Sequence, residues 1–298
     1  MELWWERPMR ERLDPLIAER APWLFNDTRP ARLLRCGLDR LLGYDRTVAL
    51  GQELRDATGP QIMDRMADLI ARDVAVEGLA HMPATGPALI VANHPTGIAD
   101  GVVLWSVMRQ IRRDAFFYAN ADILRVLPQM DSLICPVEWR QDKRTHGKTR
   151  ETMAYTRRAM QAGRAGVIFP SGRLAKRRGL SLHERPWMAS AAMIARKFDV
   201  PVVPVNLRAR NSALFYAFDL LHPTLRDITL FHETLNKARQ PYRIEVGRPI
   251  APRSLPAATA DAIEELRGQT LRLGGRYAVS IVEQTRRPKW VRSLQTGY

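Results

Sequence analysis

One stretch is central to this sequence: Ile90-Val91-Ala92-Asn93-His94-Pro95-Thr96-Gly97-Ile98-Ala99-Asp100-Gly101. It links an apolar run, residues 88–92, to a second apolar run, residues 102–108. The first run predicts a buried strand with His94 just past its carboxyl end, where open α/β sheets bind their ligands. A histidine followed closely by an aspartate at such a place indicates a general base and the carboxylate that orients it.

The spacing of His94 and Asp100 leaves two interpretations open. On one helix, residues six apart are rotated by about 240° and cannot meet. The catalytic interpretation therefore places His94 on a loop, with Gly97 allowing the chain to fold back until the carboxylate is ~3 Å from a ring nitrogen. In the other interpretation, Asp100 only caps a helix that begins at Gly101, and His94 is an ordinary loop residue.

Composition predicts a globular protein with an anionic partner. The chain has 298 residues, of which 46% are hydrophobic and 26% charged, enough to bury a sizeable core. The net charge of +15 fits nucleic acid, anionic lipid or an acidic carrier protein. Two isolated cysteines favour a reducing compartment. We expect no signal peptide and no spanning helix, so that any action on lipid takes place at the membrane surface.

The hydrophobic pattern changes character near residue 72. Residues 1–72 predict four helices, and from residue 73 short runs rich in Val, Ile and Phe alternate with helical patterns. The predicted strands are 74–77, 88–92, 115–118, 133–137, 166–169, 202–205 and 243–246. The later predicted helices are 101–112, 149–162, 186–198, 212–221, 225–236, 257–273 and 277–284. This predicts an α/β fold with a mostly parallel mixed sheet flanked by helices. An N-terminal helical extension (1–72) precedes the α/β domain (73–298), which ends in C-terminal helices.

Three further strand ends carry candidate functional residues. Pro170, Ser171, Gly172 and Arg173 follow a strand, and free backbone N–H groups in such a turn with an adjacent cation form an anion-binding concavity. Ser171 lacks the Gly-x-Ser-x-Gly context of a hydrolase nucleophile, and residues 176–178 predict a solvated basic turn.

The other two strand ends differ in chemistry. Residues 133–140 run through a core cysteine, Cys135, to Arg140, which can reach an anion. Residues 200–206 carry no ionisable group and would act by shape. Their prolines, Pro204 among them, indicate a strand start or an edge strand.

The sequence lacks the motifs of several common classes of binding site. The sequence has no His-Glu-x-x-His motif, and its six histidines are scattered. It also lacks a Gly-x-Gly-x-x-Gly fingerprint, a Walker loop and the aromatic interleaving of an RNA-binding sheet. We therefore expect no metal, dinucleotide, ATP or nucleic acid.

Taken together and in order, the four strand-end blocks resemble those of the glycerolipid acyltransferases, the superfamily of 1-acylglycerol-3-phosphate acyltransferase. That family has Asn-His-x4-Asp, strand-Arg, Phe-Pro-Glu-Gly-(Thr)-Arg and Val-Pro-Ile-(Ile/Val)-Pro-Val blocks. The resemblance spans roughly residues 74–250. Here five residues separate His94 from Asp100, Ser171 replaces the usual Glu, and Arg173 sits one place early. The sequence looks closest to the hemolysin-like branch, which is related to O-acyltransferases of ornithine lipid.

The resemblance implies O-acyl transfer from an acyl thioester to the hydroxyl of a lyso-lipid, such as lyso-ornithine lipid. The donor is acyl-carrier protein or coenzyme A as co-substrate, without another cofactor. His94 would be the base and Asp100 its orienting partner. Backbone N–H groups near Gly172 would stabilise the oxyanion, and Arg173 and Arg140 would hold the acidic group of the acceptor. The remaining expected substrate-site residues are Asn93, Thr96, Gly97, Ser171 and Pro204.

Two alternatives remain open beside this assignment: a lysophosphatidic acid acyltransferase, and a catalytically degenerate peripheral membrane protein. The expected location is cytoplasmic, peripheral at the cytoplasmic face of the inner membrane, with an anionic membrane surface as partner. Nucleic-acid binding is suggested by charge alone.

Overall fold

A computed structural model describes residues 7–138, 145–275 and 278–281. Its strands are β1 Val74–Glu77, β2 Ala88–Ala92, β3 Phe116–Asn120, β4 Ile134–Val137, β5 Ala165–Ile168, β6 Lys176–Arg178, β7 Ser181–His183, β8 Val202–Arg208, β9 Tyr242–Val246 and β10 Ala278–Ser280. Seven of them form one sheet in the order β1-β9-β8-β2-β5-β3-β4, and β10, β7 and β6 form a small antiparallel sheet.

The large sheet is mixed but mostly parallel, as the sequence predicts. Strands β8, β2, β5, β3 and β4 run in one direction. Strand β9 is antiparallel to β8, and β1 is parallel to β9. The seven predicted strands are all present, each within three residues of its expected bounds. The central position of β2 places its carboxyl end, and therefore His94, in the middle of one sheet edge.

Helices cover both faces of this sheet. They are α1 Met9–Ala18, α2 Arg29–Leu42, α3 Tyr44–Glu53, α4 Gly59–Ile70, α5 Ile98–Met108, α6 Asp122–Val126, α7 His146–Gln161, α8 Ser190–Phe198, α9 Ala213–Leu221, α10 Pro223–Ile228, α11 Leu230–Asn236 and α12 Thr259–Leu273. The fold is therefore α/β, with helices before and after the sheet.

The period-two alternation of β2 divides the core between the two faces. Ile90 packs in the cluster that contains Val103 of α5, whereas Leu89 packs in the cluster that contains Ile194 of α8. Leu13 and Ile70, from the helices that precede the sheet, belong to the same cluster as Ile90. The N-terminal helices thus bury their apolar faces against the α5 side of the sheet. The domain boundary at residues 72 and 73 stays a prediction.

The structure corrects the predicted bounds of several elements. The helix expected over 186–198 starts at Ser190, and the one expected over 225–236 is divided at Thr229 into α10 and α11. The helix expected over 277–284 is wrong where the structure describes it, because β10 pairs there with β7. The solvated turn expected at 176–178 is strand β6, which pairs with β7 across a turn with Gly179 at φ 59°.

Pro204 also differs from expectation, because β8 is an interior strand between β9 and β2. A proline is tolerated there because the row of backbone hydrogen bonds between β8 and β9 is interrupted at this position. Gly247 donates to the Pro204 carbonyl at 2.8 Å, and the next bonds toward the amino end of β8 join Val202 and Ile250. The missing N–H of Pro204 falls in this gap.

Candidate active site

The loop between β2 and α5 brings His94 and Asp100 together. Helix α5 begins at Ile98 and not at Gly101, so Asp100 lies in its first turn. Gly97, just before the helix, has φ 109° and ψ −136°, a conformation open essentially to glycine alone. This reversal leaves His94 outside the helix and puts its Nδ1 2.9 Å from Asp100 Oδ2. The predicted contact is present despite the extra residue in the spacing.

The Asp100 carboxylate is fully buried and also organises the loop. It accepts hydrogen bonds from the backbone N–H groups of Thr96 (2.9 Å) and Gly97 (3.0 Å) and from the Thr96 hydroxyl (2.5 Å). It therefore caps α5 from inside the first turn and holds His94 at the same time. The two interpretations of Asp100 are not exclusive, because one carboxylate has enough lone pairs for both tasks.

The His94 ring is held between Asp100 and Phe169. The Phe169 ring, at the end of β5, stacks on the imidazole with centroids 4.3 Å apart and planes 24° apart. The His94 side chain is 18% exposed and lines a large cavity. Since Nδ1 is taken by the carboxylate, Nε2 is the nitrogen left for a ligand in the cavity. An imidazole held in this way can accept a proton at Nε2 while the carboxylate stabilises the resulting cation.

Glu184 is a site residue that sequence reasoning missed. Its buried carboxylate accepts the backbone N–H of His94 at 3.1 Å and the indole N–H of Trp187 at 2.9 Å. The Ser171 hydroxyl lies close to this carboxylate as well. Burial raises the pKa of Glu184, although these hydrogen bonds oppose the shift. The chain thus places a carboxylate beside Ser171, the position where the family pattern has Glu.

The turn after β5 is closed by hydrogen bonds of its own backbone and side chains. The Gly172 N–H donates to the Phe169 carbonyl at 2.9 Å, with Gly172 at φ 61°, and so closes the turn. The Ser171 hydroxyl donates to the Arg173 carbonyl at 2.9 Å. The Gly172 N–H is therefore used within the turn, and the prediction that backbone N–H groups near Gly172 stabilise an oxyanion stays a prediction. Gly172 and Arg173 do line the cavity.

Other predicted substrate-site residues have structural roles. Asn93 is buried and exchanges two hydrogen bonds with Leu207, at 2.7 and 2.8 Å, which join the ends of β2 and β8. The Thr96 hydroxyl lies between Asp100 and the hydroxyl of Tyr242, 2.9 Å away. Of these predicted residues, Gly97 lines the cavity. The residues that line it do not include Asn93, Thr96, Ser171 or Pro204. Arg140 lies outside the described residues.

A buried ion pair supports the loop from its far side. Glu233 of α11 and Lys237, the residue that follows this helix, are 2.9 Å apart, and both are almost completely buried. Lys237 also donates to the Asn211 side chain at 2.6 Å, and the Asn211 amide donates to the Thr96 carbonyl at 3.3 Å. Burial lowers the pKa of Lys237, and the Glu233 carboxylate opposes that shift. These contacts link α11 to the His94 loop, and a charged pair with i, i+4 spacing was the signal available in the sequence.

The cavity in front of His94 has a volume of about 1610 Å³. One part is apolar, with side chains from α1, α4 and α5 such as Leu13, Met63 and Val102. Another part is cationic, with Arg173, Lys176, Arg177, Arg185 and Arg226. Such a cavity suits a ligand that has a long apolar portion and an anionic group.

The part of the chain that the structure describes lacks two further features. No cluster of three His, Cys, Asp or Glu side chains there is arranged to hold a metal ion. None of the helices in that part has the length and apolar character needed to cross a bilayer. Cys135 is buried, as predicted, and burial raises its pKa to about 12, so it is an inert core thiol.

Comparisons with known proteins show which proteins this chain is similar to. The family model described as Acyltransferase matches residues 73–208, a range that contains β2, the His94–Asp100 loop, the turn after β5 and β8. A lyso-glycine lipid O-acyltransferase of Phocaeicola vulgatus is 21% identical over 219 residues, which are 72% of this chain and 77% of that protein. Another of the same name, from Bacteroides thetaiotaomicron, is 24% identical over 179 residues, 60% of this chain and 64% of that protein.

Among solved structures, the 1-acyl-sn-glycerophosphate (LPA) acyltransferase PlsC of Thermotoga maritima is 14% identical, with a TM-score of 0.48. The match covers 72% of this chain and 79% of that one. The match to the Acyltransferase family model is the finding that supports an acyltransferase, since it spans the four strand-end blocks recognised in the sequence. Residues 73–208 thus match the Acyltransferase family model, and this match, together with the two similar lipid O-acyltransferases, identifies the chain as an acyltransferase.

Proposed function

We propose that this protein transfers a fatty acyl chain from an acyl thioester to the hydroxyl of a lyso-lipid. The observation that carries the proposal is the position of His94 at the cavity, with Nδ1 2.9 Å from the buried Asp100 carboxylate. This arrangement supplies a base of fixed orientation and tautomer at the place where a hydroxyl can meet a thioester.

The reaction needs no covalent enzyme intermediate. As the acceptor oxygen attacks the thioester carbonyl, His94 Nε2 takes the hydroxyl proton and Asp100 stabilises the imidazolium. A C–O bond forms and the C–S bond breaks. The thiolate leaves and recovers the proton from His94, so that the products are the acylated lipid and a free thiol. The thiol is that of acyl-carrier protein or coenzyme A.

The acceptor we propose is a lyso-aminolipid, such as lyso-ornithine or lyso-glycine lipid. Two relatives of this chain are named lyso-glycine lipid O-acyltransferases. The third block also departs from the glycerol-phosphate pattern, since Ser171 stands where the Glu is usual and Glu184 contacts the base loop instead. Lysophosphatidic acid is the competing acceptor, and both should be assayed.

The apolar part of the cavity is proposed to hold an acyl chain. Its walls are side chains of α1, α4 and α5, which also form part of the hydrophobic core. Each methylene that leaves water for such a wall stabilises the complex by about 0.8 kcal/mol. The N-terminal helices would thus contribute to substrate binding.

We further propose that the protein acts at the cytoplasmic face of the inner membrane, through α2. Leu33, Leu34 and Leu41 of this helix are exposed, and Arg29, Arg32 and Arg40 are exposed beside them. The buried Leu38 of α2 packs with Phe218 of α9, whose last residues, Leu220 and Leu221, are exposed as well. We call the three α2 leucines and three arginines the α2 surface. Apolar and cationic side chains together suit an anionic lipid interface.

Replacement of His94 tests the proposed chemistry. In His94→Ala, kcat for acyl transfer should fall by ~10²–10⁴ or more, because a general base contributes that much. The free energy of unfolding should change little, since the side chain is partly exposed and Asp100 keeps three other donors. Thiol release from acyl thioester with a lyso-aminolipid acceptor measures kcat, and urea denaturation measures stability.

The matched control is His222→Ala. His222 is exposed and its ring only caps the first turn of α10. This variant should keep wild-type kcat. A His94→Ala variant with wild-type turnover would refute the proposed role of His94.

A further inference from the structure

The segment before α8 brings a cation, Arg185, next to the base loop. Its neighbour Glu184 accepts the backbone N–H of His94, so this segment contacts the loop directly. Arg185 Nε donates to the Leu174 carbonyl at 2.9 Å, and the next residue, Ala175, donates its N–H to the His94 carbonyl. These bonds fix the position of Arg185 relative to His94.

Arg185 lines the same cavity as His94 and Arg173. The nearby carboxylates are already used by other groups. Glu184 accepts from His94 and Trp187, and Asp219 pairs with Arg177 and Arg226. Within the described ranges, Arg185 forms no salt bridge, and its Nε bond to Leu174 is the one hydrogen bond it makes.

The surroundings of Arg185 are unfavourable for a cation without a ligand. The guanidinium is partly buried, and burial lowers its pKa, as do the positive charges of Arg173 and Arg226. Glu184 and Asp219 offset this only in part. An anion in the cavity would relieve both the desolvation and the repulsion between cations.

A guanidinium with Nε bonded to the protein keeps its two Nη groups for a ligand. Two N–H groups on one planar fork match the paired oxygens of a carboxylate or a phosphate. Because Arg185 is fixed beside the base loop, an anion bound there would lie close to the reacting hydroxyl. A headgroup anion of a lyso-lipid meets that requirement.

We infer that Arg185, with Arg173, forms the subsite for the anionic headgroup of the acceptor lipid, so that the enzyme selects a carboxylate or phosphate headgroup over a neutral one. The inference rests on the proposed function for the identity of the ligand. It names Arg185 as a specificity-determining residue in a segment outside the four recognised blocks.

The test compares acceptors that differ only in headgroup charge. An N-(3-hydroxyacyl)glycine supplies the carboxylate, its methylamide is the neutral analogue, and lysophosphatidic acid supplies a phosphate. Arg185→Gln should lower kcat/KM about 10- to 100-fold for the preferred anionic acceptor, the usual effect of losing a charge-assisted hydrogen bond. For the methylamide, kcat/KM should stay within about twofold of wild type. Arg185→Lys should restore part of the loss, since it keeps the charge without the planar fork.

Arg178→Gln is the matched control. Arg178 lies in the same hairpin region but is exposed and outside the cavity lining, so its kinetics should equal wild type with every acceptor. The kcat/KM values for the carboxylate acceptor and for the phosphate acceptor show which headgroup the subsite prefers. An equal loss for charged and neutral acceptors, no loss at all, or a change confined to the KM of the thioester donor would each overturn the inference.

Calorimetric binding separates this inference from the proposed function. The wild type should bind N-(3-hydroxyacyl)glycine or lysophosphatidic acid more tightly than the methylamide, and Arg185→Gln should remove that difference. If the wild type transfers no acyl group to any acceptor, the proposed function fails, but a headgroup preference that depends on Arg185 still supports the subsite. Equal affinities of wild type and variant for all three ligands would overturn it.

Discussion

At the scale of single residues, Asp100 combines two tasks. Its oxygens accept from two backbone N–H groups, one hydroxyl and the His94 ring, all within 3.0 Å. A carboxylate is suited to this position because it accepts from several donors at once and donates to none. The base and the start of α5 therefore depend on the same side chain.

The Asp100→Asn variant tests this dependence. An amide keeps the shape but turns one acceptor into a donor that faces other donors, so at least one buried N–H or O–H group loses its partner. We expect kcat to fall by ~10² or more, since the imidazolium loses its counter-charge. The free energy of unfolding should fall by about 1–3 kcal/mol. Steady-state kinetics and urea denaturation measure the two effects.

Asp27→Asn serves as control, because that carboxylate is almost fully exposed and lies 3.8 Å from Arg32. It should change neither quantity. Wild-type stability in Asp100→Asn would contradict the organising role assigned to the carboxylate.

Glu184 should make stability depend on pH. Burial raises its pKa above the ordinary value of 4.5. Between that value and the raised one, the folded state binds more protons than the unfolded state, so stability falls as pH rises. The Glu184→Gln variant has no carboxyl group that titrates at this position. Its free energy of unfolding, relative to that of the wild type, should therefore increase over this pH range and then level off. Urea denaturation at a series of pH values measures this, with surface Glu264→Gln in parallel. A relative stability that decreases with pH would contradict the prediction.

At the scale of elements, the local sequence predicts where the strands lie but not which strands pair with each other. Each of the seven strands follows from a short run of β-branched or aromatic residues, and His94 after β2 and Arg173 after β5 line the same cavity. The order of the sheet depends on contacts between distant residues. So does the role of Glu184, which bonds a residue 90 positions away. The tail strand β10 is missed for the same reason, because pairing with β7 overrides its local pattern.

The buried ion pair at the carboxyl end of α11, between Glu233 and Lys237, is a contact between elements that supports the site. Replacing Lys237 by Met leaves the Glu233 charge buried without its partner, which should lower the free energy of unfolding by about 3–5 kcal/mol. The double variant Lys237→Met/Glu233→Gln removes that lone charge and should recover about 1 kcal/mol or more. Urea denaturation of both variants checks this. Arg253→Met, which removes a highly exposed ion pair with Asp199, should have little effect. A double variant less stable than Lys237→Met would contradict the argument.

At the scale of the whole molecule, charge and apolar exposure are the two features behind the proposed lipid interface. The chain carries a net charge of +15, and the α2 surface adds leucines that are 74%, 50% and 52% exposed at Leu33, Leu34 and Leu41. Each cation near an anionic leaflet contributes on the order of 1 kcal/mol, whereas leucines contribute by leaving water. The two contributions respond differently to salt, because only the first is screened.

Vesicle binding separates these contributions. The wild type should bind vesicles with anionic lipid more tightly than neutral ones, and the difference should shrink as salt rises, since the Debye length falls from ~30 Å at 0.01 M to ~10 Å at 0.1 M. Leu33→Gln/Leu34→Gln should weaken binding about tenfold or more at every salt concentration, because the apolar contribution is not screened. Met193→Gln, which changes a residue 59% exposed on α8, should bind like wild type.

Vesicle co-sedimentation across a salt series measures all three proteins. Equal binding of the wild type to neutral and anionic vesicles at low salt would exclude the electrostatic contribution, and a double variant that binds like wild type would exclude α2 as the contact.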